Sequence, residues 1–321
     1  MKSKRILVGM LVIALAGVLL AGCGKKEKTF KIGINQLVRH EALDASYQGF
    51  VDALEDAGYI DGENIKIDYQ NAQNDQSTLN TIATKLVNDG SDLILAIATP
   101  SAQAVANATR DIPILVTAVT DPAGSDLVES NEAPGGNVTG TSDLTPVRKQ
   151  IELFTQLVPD AKKIAILYSS SESNSKIQVD MAKEAAEEFN LEVVDATVSS
   201  TNDIEQVVQS LVGKIDAIYA PTDNTIASGM PTVAMVANAN GIPVICGEEG
   251  MVSKGGLATY GIDYYKLGWL TGKQAVRIIK DNAQTATMPI EYLPEDEYSL
   301  TINQEVANQL GIVIPEELYS E

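Results

Sequence analysis

With 321 residues the chain is long enough for two domains, each with its own core, and 43 acidic against 23 basic residues give it a formal charge of −20. Such a chain repels nucleic acid and anionic lipid head groups, so nucleic acid is not expected as a partner. A single His, two Cys and the lack of any Gly-x-Gly-x-x-Gly, Cys-His or Ser-His-Asp pattern leave nothing to hold a metal or build a catalytic centre. No metal, cofactor or enzymatic activity is expected; the adjacent Glu248 and Glu249 alone suggest acid/base work, and neighbours in sequence often point apart.

The first 22 residues read as a secretory signal: Lys2, Lys4 and Arg5 precede an apolar run from Ile6 to Leu20, then small residues. That run, about 15 residues, falls short of the roughly 20 that span a bilayer. Leu20-Ala21-Gly22-Cys23 resembles the bacterial lipobox, which implies acylation of Cys23 and cleavage just before it. Residues 23–29 then form a polar tether, and the folded part begins near Phe30. With Cys23 committed to lipid, Cys246 has no internal disulfide partner and reads as a small buried strand residue.

From there, apolar runs of strand length alternate with segments of helical period, the pattern of an α/β fold with largely parallel sheets. Lys31–Ile34 is a strand, followed by a helix near Ala42–Ala57 that stops at Gly58. Ile65–Tyr69 alternates, Ser77–Asn88 is helical, and Leu93–Ile97 and Ile114–Val116 are buried strands. The order then repeats: Lys163–Tyr168, a helix containing Met181–Phe189, Leu191–Val194, a helix over Asp203–Val212, Asp216–Ala220 and Ile242–Ile245. Matched strands are offset by about 130 residues, which is a duplicated domain and not a solenoid repeat.

Open parallel sheets bind ligands beyond the carboxyl ends of their strands, where helix N-termini present unpaired N–H groups. Two such domains facing each other make one cleft. Its expected loops are residues 36–43, 99–101, 119–122 and 142–143 from the first half, and 169–175, 221–224, 247–249 and 261–263 from the second. They are rich in hydroxyls, amides and carboxylates, although helix capping uses the same residues.

Pro134–Gly140, Pro221–Thr225, Gly247–Met251 and Gly261–Tyr265 carry a resemblance to the ABC-transporter substrate-binding lipoproteins of the tryptophan/tyrosine transport type, extending from Phe30 to the end. The resemblance implies the type I periplasmic-binding-protein fold: two Rossmann-like lobes with a three-crossing hinge, closing on an amino acid or a similar small solute. It implies an extracytoplasmic monomer, anchored to the bacterial membrane through Cys23, serving a permease and its ATPase. The crossings are expected near 144–146, 263–265 and 289–294. The N-terminal lobe then comprises 30–145 plus 264–290, and the C-terminal lobe 146–263 plus 291–321.

A bound amino acid needs partners for both charged groups once water is expelled. Thr99, Ser101 and the following amides are candidates for its carboxylate, and Asp121, Asp223, Glu248 and Asp263 for its ammonium. Gln36, His40, Leu43, Thr120, Ser169, Asn174, Ser175, Thr222 and Asn224 complete the candidate set. For His40 a solvated or capping role is the blander alternative, and Trp269 is expected to pack rather than to stack on a ligand. Competing readings are a sugar or nucleoside carrier, since eleven Tyr offer ring platforms, and a ligand-sensing domain.

Overall fold

The computed structural model describes residues 29–319. The signal segment, Cys23 and all but the last residue of the tether lie outside them. Among the described residues no helix is long and apolar enough to cross a membrane.

The chain builds two mixed layers of sheet and helix. In the first, β1 (Phe30–Gln36), β2 (Ile65–Asn71), β3 (Leu93–Ile97), β4 (Ile114–Val119) and β5 (Val138–Ser142) form a sheet of order β2-β1-β3-β4-β5. Pairings β1–β3, β3–β4 and β4–β5 are parallel. Every residue of β3 is fully buried, as an uninterrupted Leu-Ile-Leu-Ala-Ile run requires of a strand covered on both faces. At the sheet edge, β2 alternates and stays half-exposed. Helices α1 (Glu41–Asp56), α2 (Gln76–Asn88) and α3 (Thr99–Ala108) follow β1, β2 and β3.

The second layer has the order β11-β10-β9-β8-β6-β7, with β6 (Lys163–Ser169), β7 (Glu192–Val198), β8 (Ala217–Ala220), β9 (Val244–Cys246), β10 (Ala258–Gly261) and β11 (Ser299–Ile302). Only β11 runs antiparallel, against β10. Helices α4 (Val147–Leu157), α5 (Ser173–Glu188), α6 (Ile204–Leu211), α7 (Asn224–Ala239), α8 (Glu249–Ser253) and α10 (Gln304–Leu310) belong to this half, and α9 (Tyr264–Asp281) lies between β10 and β11 in the chain. Apolar clusters cover the sheet on both faces, and Cys246 is fully buried in one of them. Trp269 is half-buried on α9, its ring tilted against Tyr265 at 6.2 Å.

Helix α9 returns to the first layer and lies directly on α1. The contact is backbone on backbone, because a Cβ at Gly268 would collide with Ser46 O and one at Gly49 with Tyr265 O. Glycine at both positions lets the helices close without a gap. The chain therefore changes layer between β5 and α4, between β10 and α9, and again before β11. Glu291 bridges to Thr141 at the edge of the first sheet, and Ser299 already belongs to the second.

Candidate functional site

The carboxyl ends of both sheets face one pocket. Its first-layer wall comes from the start of α1, with His40, Ala42 and Leu43, and from the end of β4, with Ala118 and Thr120. Asp143, just past β5, and Tyr264, the first residue of α9, close that side. The facing wall comes from Asn174 on α5, Thr222 and Asp223 beyond β8, Asn224 and Ala227 on α7, and Glu248 beyond β9.

Local backbone geometry aims several of these groups. The β4–β5 register shifts between Val116 and Val119, and Ala118 there has φ +54°, a left-handed conformation that costs a non-glycine residue and turns the chain into the pocket. Ala98, ahead of α3, is strained further, at φ +81° and ψ 152°. Strain of this kind persists only where packing holds it, and both residues are buried.

Hydrogen bonds tie the lining groups together. Gln178 on α5 donates to Thr222 Oγ1 at 2.6 Å and to Thr120 Oγ1 at 3.4 Å across the layers, while its Oε1 accepts from Thr222 N at 3.2 Å. Asn174 Nδ2 donates to Thr222 O at 3.1 Å. Glu172 sits behind them and accepts from Asn224 Nδ2 at 2.6 Å and from Thr225 N and Oγ1 at 3.0 and 2.9 Å. With its amide nitrogen turned to Glu172, Asn224 offers Oδ1 to His40 Nε2 at 3.2 Å. That nitrogen must carry the hydrogen, which leaves Nδ1 as a bare acceptor. Burial also pushes the imidazole below its ordinary pKa, so the ring is neutral near neutral pH.

Among the described residues no lysine or arginine lines this pocket, Arg39 and Lys254 standing in the cavity that adjoins it at His40, Ala227 and Glu248, yet three carboxylates do. Burial raises Asp143 to about 6, against the opposing hydrogen bonds from Tyr264 Oη at 2.7 Å, from the Thr120 side chain and from its own backbone N–H. It raises Glu248 to about 7 and, helped by the charge of Glu172, Asp223 to about 7. Their availability differs. Asp223 caps α7 through Ile226 N at 2.8 Å and also accepts from Ser169 N at 2.7 Å and Ser175 Oγ at 2.6 Å. Glu248 caps α8 through Gly250 N at 2.5 Å. Asp143 keeps one oxygen, Oδ1, buried and without a partner.

Of the residues singled out from sequence, His40, Leu43, Thr120, Asn174, Thr222, Asp223, Asn224 and Glu248 come together here. The others lie outside the pocket. Ser101 Oγ bonds to Asn35 O at 2.6 Å, and Thr99 is buried beside it at the start of α3. Gln36 bonds Val38 O and Asp44, and Asp121 accepts from Asn131. Ser169 and Ser175 hold Asp223 from behind, and Asp263 is an exposed cap of α9. Sequence reasoning placed Asp143 and Glu172 only within cleft loops, placed Tyr264 only at a crossing, and passed over Gln178. Asp143 follows a strand, Val-Thr-Gly-Thr-Ser, that has no apolar run to announce it.

The two halves touch around the pocket. Besides His40–Asn224 and Gln178–Thr120, Asn74 Nδ2 donates to Thr225 Oγ1 at 3.2 Å, Gln103 to Ser173 at 3.3 Å and Ser253 to Glu41 at 2.8 Å.

The family model described as ABC transporter substrate binding protein matches residues 31–321. A tyrosine-binding protein of Clostridioides difficile is 49% identical over 326 residues, covering 97% of this chain and 93% of that protein. Among solved structures, an ABC domain from Streptococcus pneumonia in complex with L-Trp aligns with a TM-score of 0.88 at 44% identity, over 92% of this chain and 98% of the other. The ligand-free, open structure of a substrate-binding protein with adhesive properties from Clostridium difficile is 50% identical but aligns at 0.68, over 89% and 96%. A solute-binding protein from Bacillus halodurans with bound myo-inositol shares the fold, with a TM-score of 0.64 at 18% identity over 90% and 99%.

Proposed function

The chain belongs to the ABC transporter substrate-binding proteins, and from that premise we propose that it captures an aromatic amino acid, tyrosine or tryptophan, in the pocket between its lobes. One observation carries this reading: Asp143 Oδ1 is buried without a well-formed hydrogen bond, its carboxyl is eased only by hydroxyls and backbone, and no described lysine or arginine lines the pocket around it. A buried unpaired carboxylate oxygen is costly, and a cationic donor removes the cost. The ligand ammonium occupies that position, beside Asp143 and within the field of Glu248. Its carboxylate faces the start of α1, where Ala42 and Leu43 line the pocket and His40 makes no side-chain cap bond. The aromatic side chain follows from the two similar proteins that bind tyrosine and L-Trp.

Capture is a hinge motion of two lobes about three crossings, of the kind the periplasmic binding proteins exemplify. A ligand favours the closed form only by binding it better, which requires contacts from both walls. Hydrogen bonds across the pocket and the better alignment with the L-Trp complex than with the more similar open structure support a closed arrangement here. The protein works outside the cytoplasm, as a monomer without catalytic activity, held to the membrane by lipid on Cys23. From there it hands its ligand to a permease driven by an ATPase.

A thermal-shift screen tests the ligand class. A ligand at 100 times its Kd stabilises by about 2.7 kcal/mol, so tyrosine and tryptophan should raise the midpoint while sugars and nucleosides leave it unchanged. Stabilisation by sugars or nucleosides alone would sink the proposal.

A further inference from the structure

Three lining groups leave an acceptor buried without a partner: Asp143 Oδ1, Asn174 Oδ1 and His40 Nδ1. The first bears charge and suits an ammonium. The other two are neutral, and they neighbour each other through Glu172 and Asn224 on the opposite wall. The orientation of Asn174 is fixed by what surrounds its nitrogen. Thr222 O at 3.1 Å and Glu172 Oε2 at 3.5 Å can only accept, so both must meet the NH2 group. Its oxygen is left as an acceptor with nothing to accept, on a residue only 2% exposed.

Resting on the amino-acid reading of the site, we infer that Asn174 is its specificity-determining residue, accepting a hydrogen bond from an N–H or O–H on the ligand side chain. The pocket therefore selects aromatic amino acids that carry a ring donor, the indole N–H of tryptophan or the phenol O–H of tyrosine, and discriminates against phenylalanine. Phenylalanine fills the same space but leaves Asn174 Oδ1 desolvated and unpaired. Sites built to bond a substrate hydroxyl or amine reject the analogue that lacks it far more strongly than apolar pockets reject a missing methylene.

The test is a set of calorimetric titrations of the purified protein with tyrosine, tryptophan and phenylalanine, repeated on Asn174→Ala and on Asn174→Ser. In the natural sequence phenylalanine should bind at least about tenfold more weakly than tyrosine. In Asn174→Ala the ratio should shrink to about threefold or less, because tyrosine loses its acceptor and phenylalanine loses nothing. Asn174→Ser, which keeps a short hydroxyl acceptor, should retain part of the preference. This ratio is insensitive to a general loss of stability, and the titrations on the natural sequence stand even if neither variant folds. Phenylalanine binding as well as tyrosine, or an unchanged ratio in Asn174→Ala, overturns the role of Asn174 and leaves the amino-acid reading intact. Failure of every amino acid to bind overturns both.

Discussion

At Asp143 a single oxygen separates a structural carboxylate from a binding one. Tyr264 satisfies Oδ2, Thr120 also pulls the carboxyl's pKa down, and Oδ1 has no well-formed hydrogen bond. Asp143→Asn keeps the shape, removes the charge, and should weaken amino-acid binding by about 10- to 100-fold in a calorimetric titration. Protonation should do the same. Burial holds Glu248 at about 7 and Asp143 at about 6, so affinity should decline below pH 7 and steepen through 6. Asp143→Asn should flatten the lower part of that profile. The stability of the unliganded chain should depend on pH in the opposite sense. A carboxyl raised on folding binds more protons in the folded state, so its contribution to stability falls as pH rises from the ordinary carboxylate range to about 7. Ser101 shows why residue roles are hard to read from sequence. A hydroxyl at a helix start after a buried strand resembles a ligand group, but its proton goes to Asn35 O, a partner 66 residues away that no local pattern reveals.

Among the elements, those that bury a continuous apolar run were legible from sequence: β3, β4, β6 and β8 appear where Leu93–Ile97, Ile114–Val116, Lys163–Tyr168 and Asp216–Ala220 predicted strands. Strand β5 was not, because Thr139 and Thr141 are buried by bonding to Met288 O and Thr271 rather than by being apolar. Helix α5 contains the expected Met181 stretch but begins earlier, at Ser173, where the sequence showed no apolar period. Its first turn, with Asn174 and Ser175, is polar because it serves the pocket, and that interrupts the helical period. Two elements carry testable energetics. Asp223 caps α7 while holding Ser169 N and Ser175 Oγ, so Asp223→Ala should cost at least the roughly 2 kcal/mol of a strong cap, measured by denaturant unfolding. Gly268 touches the backbone of α1, and Gly268→Ala should cost about 1–3 kcal/mol by prying α1 from α9. Gly136→Ala, which meets nothing within 4 Å, is the control and should stay within about 0.5 kcal/mol.

For the molecule as a whole, duplication was the most legible feature, since two series of strands and helices recur at nearly constant spacing. How tightly the halves meet was not legible, because the contacts that join them, such as Asn74 with Thr225 and Glu41 with Ser253, are single hydrogen bonds between residues far apart in the chain. The Glu41–Ser253 bond is exposed, and such a bond contributes little in water. The balance between open and closed forms therefore rests on what the pocket holds. Calorimetric titration of the purified protein with L-tyrosine near neutral pH measures that most directly. Saturable binding of one ligand per chain is expected, at least about tenfold weaker in Asp143→Asn. An absence of heat with tyrosine and tryptophan alike, or an affinity indifferent to Asp143, would contradict it.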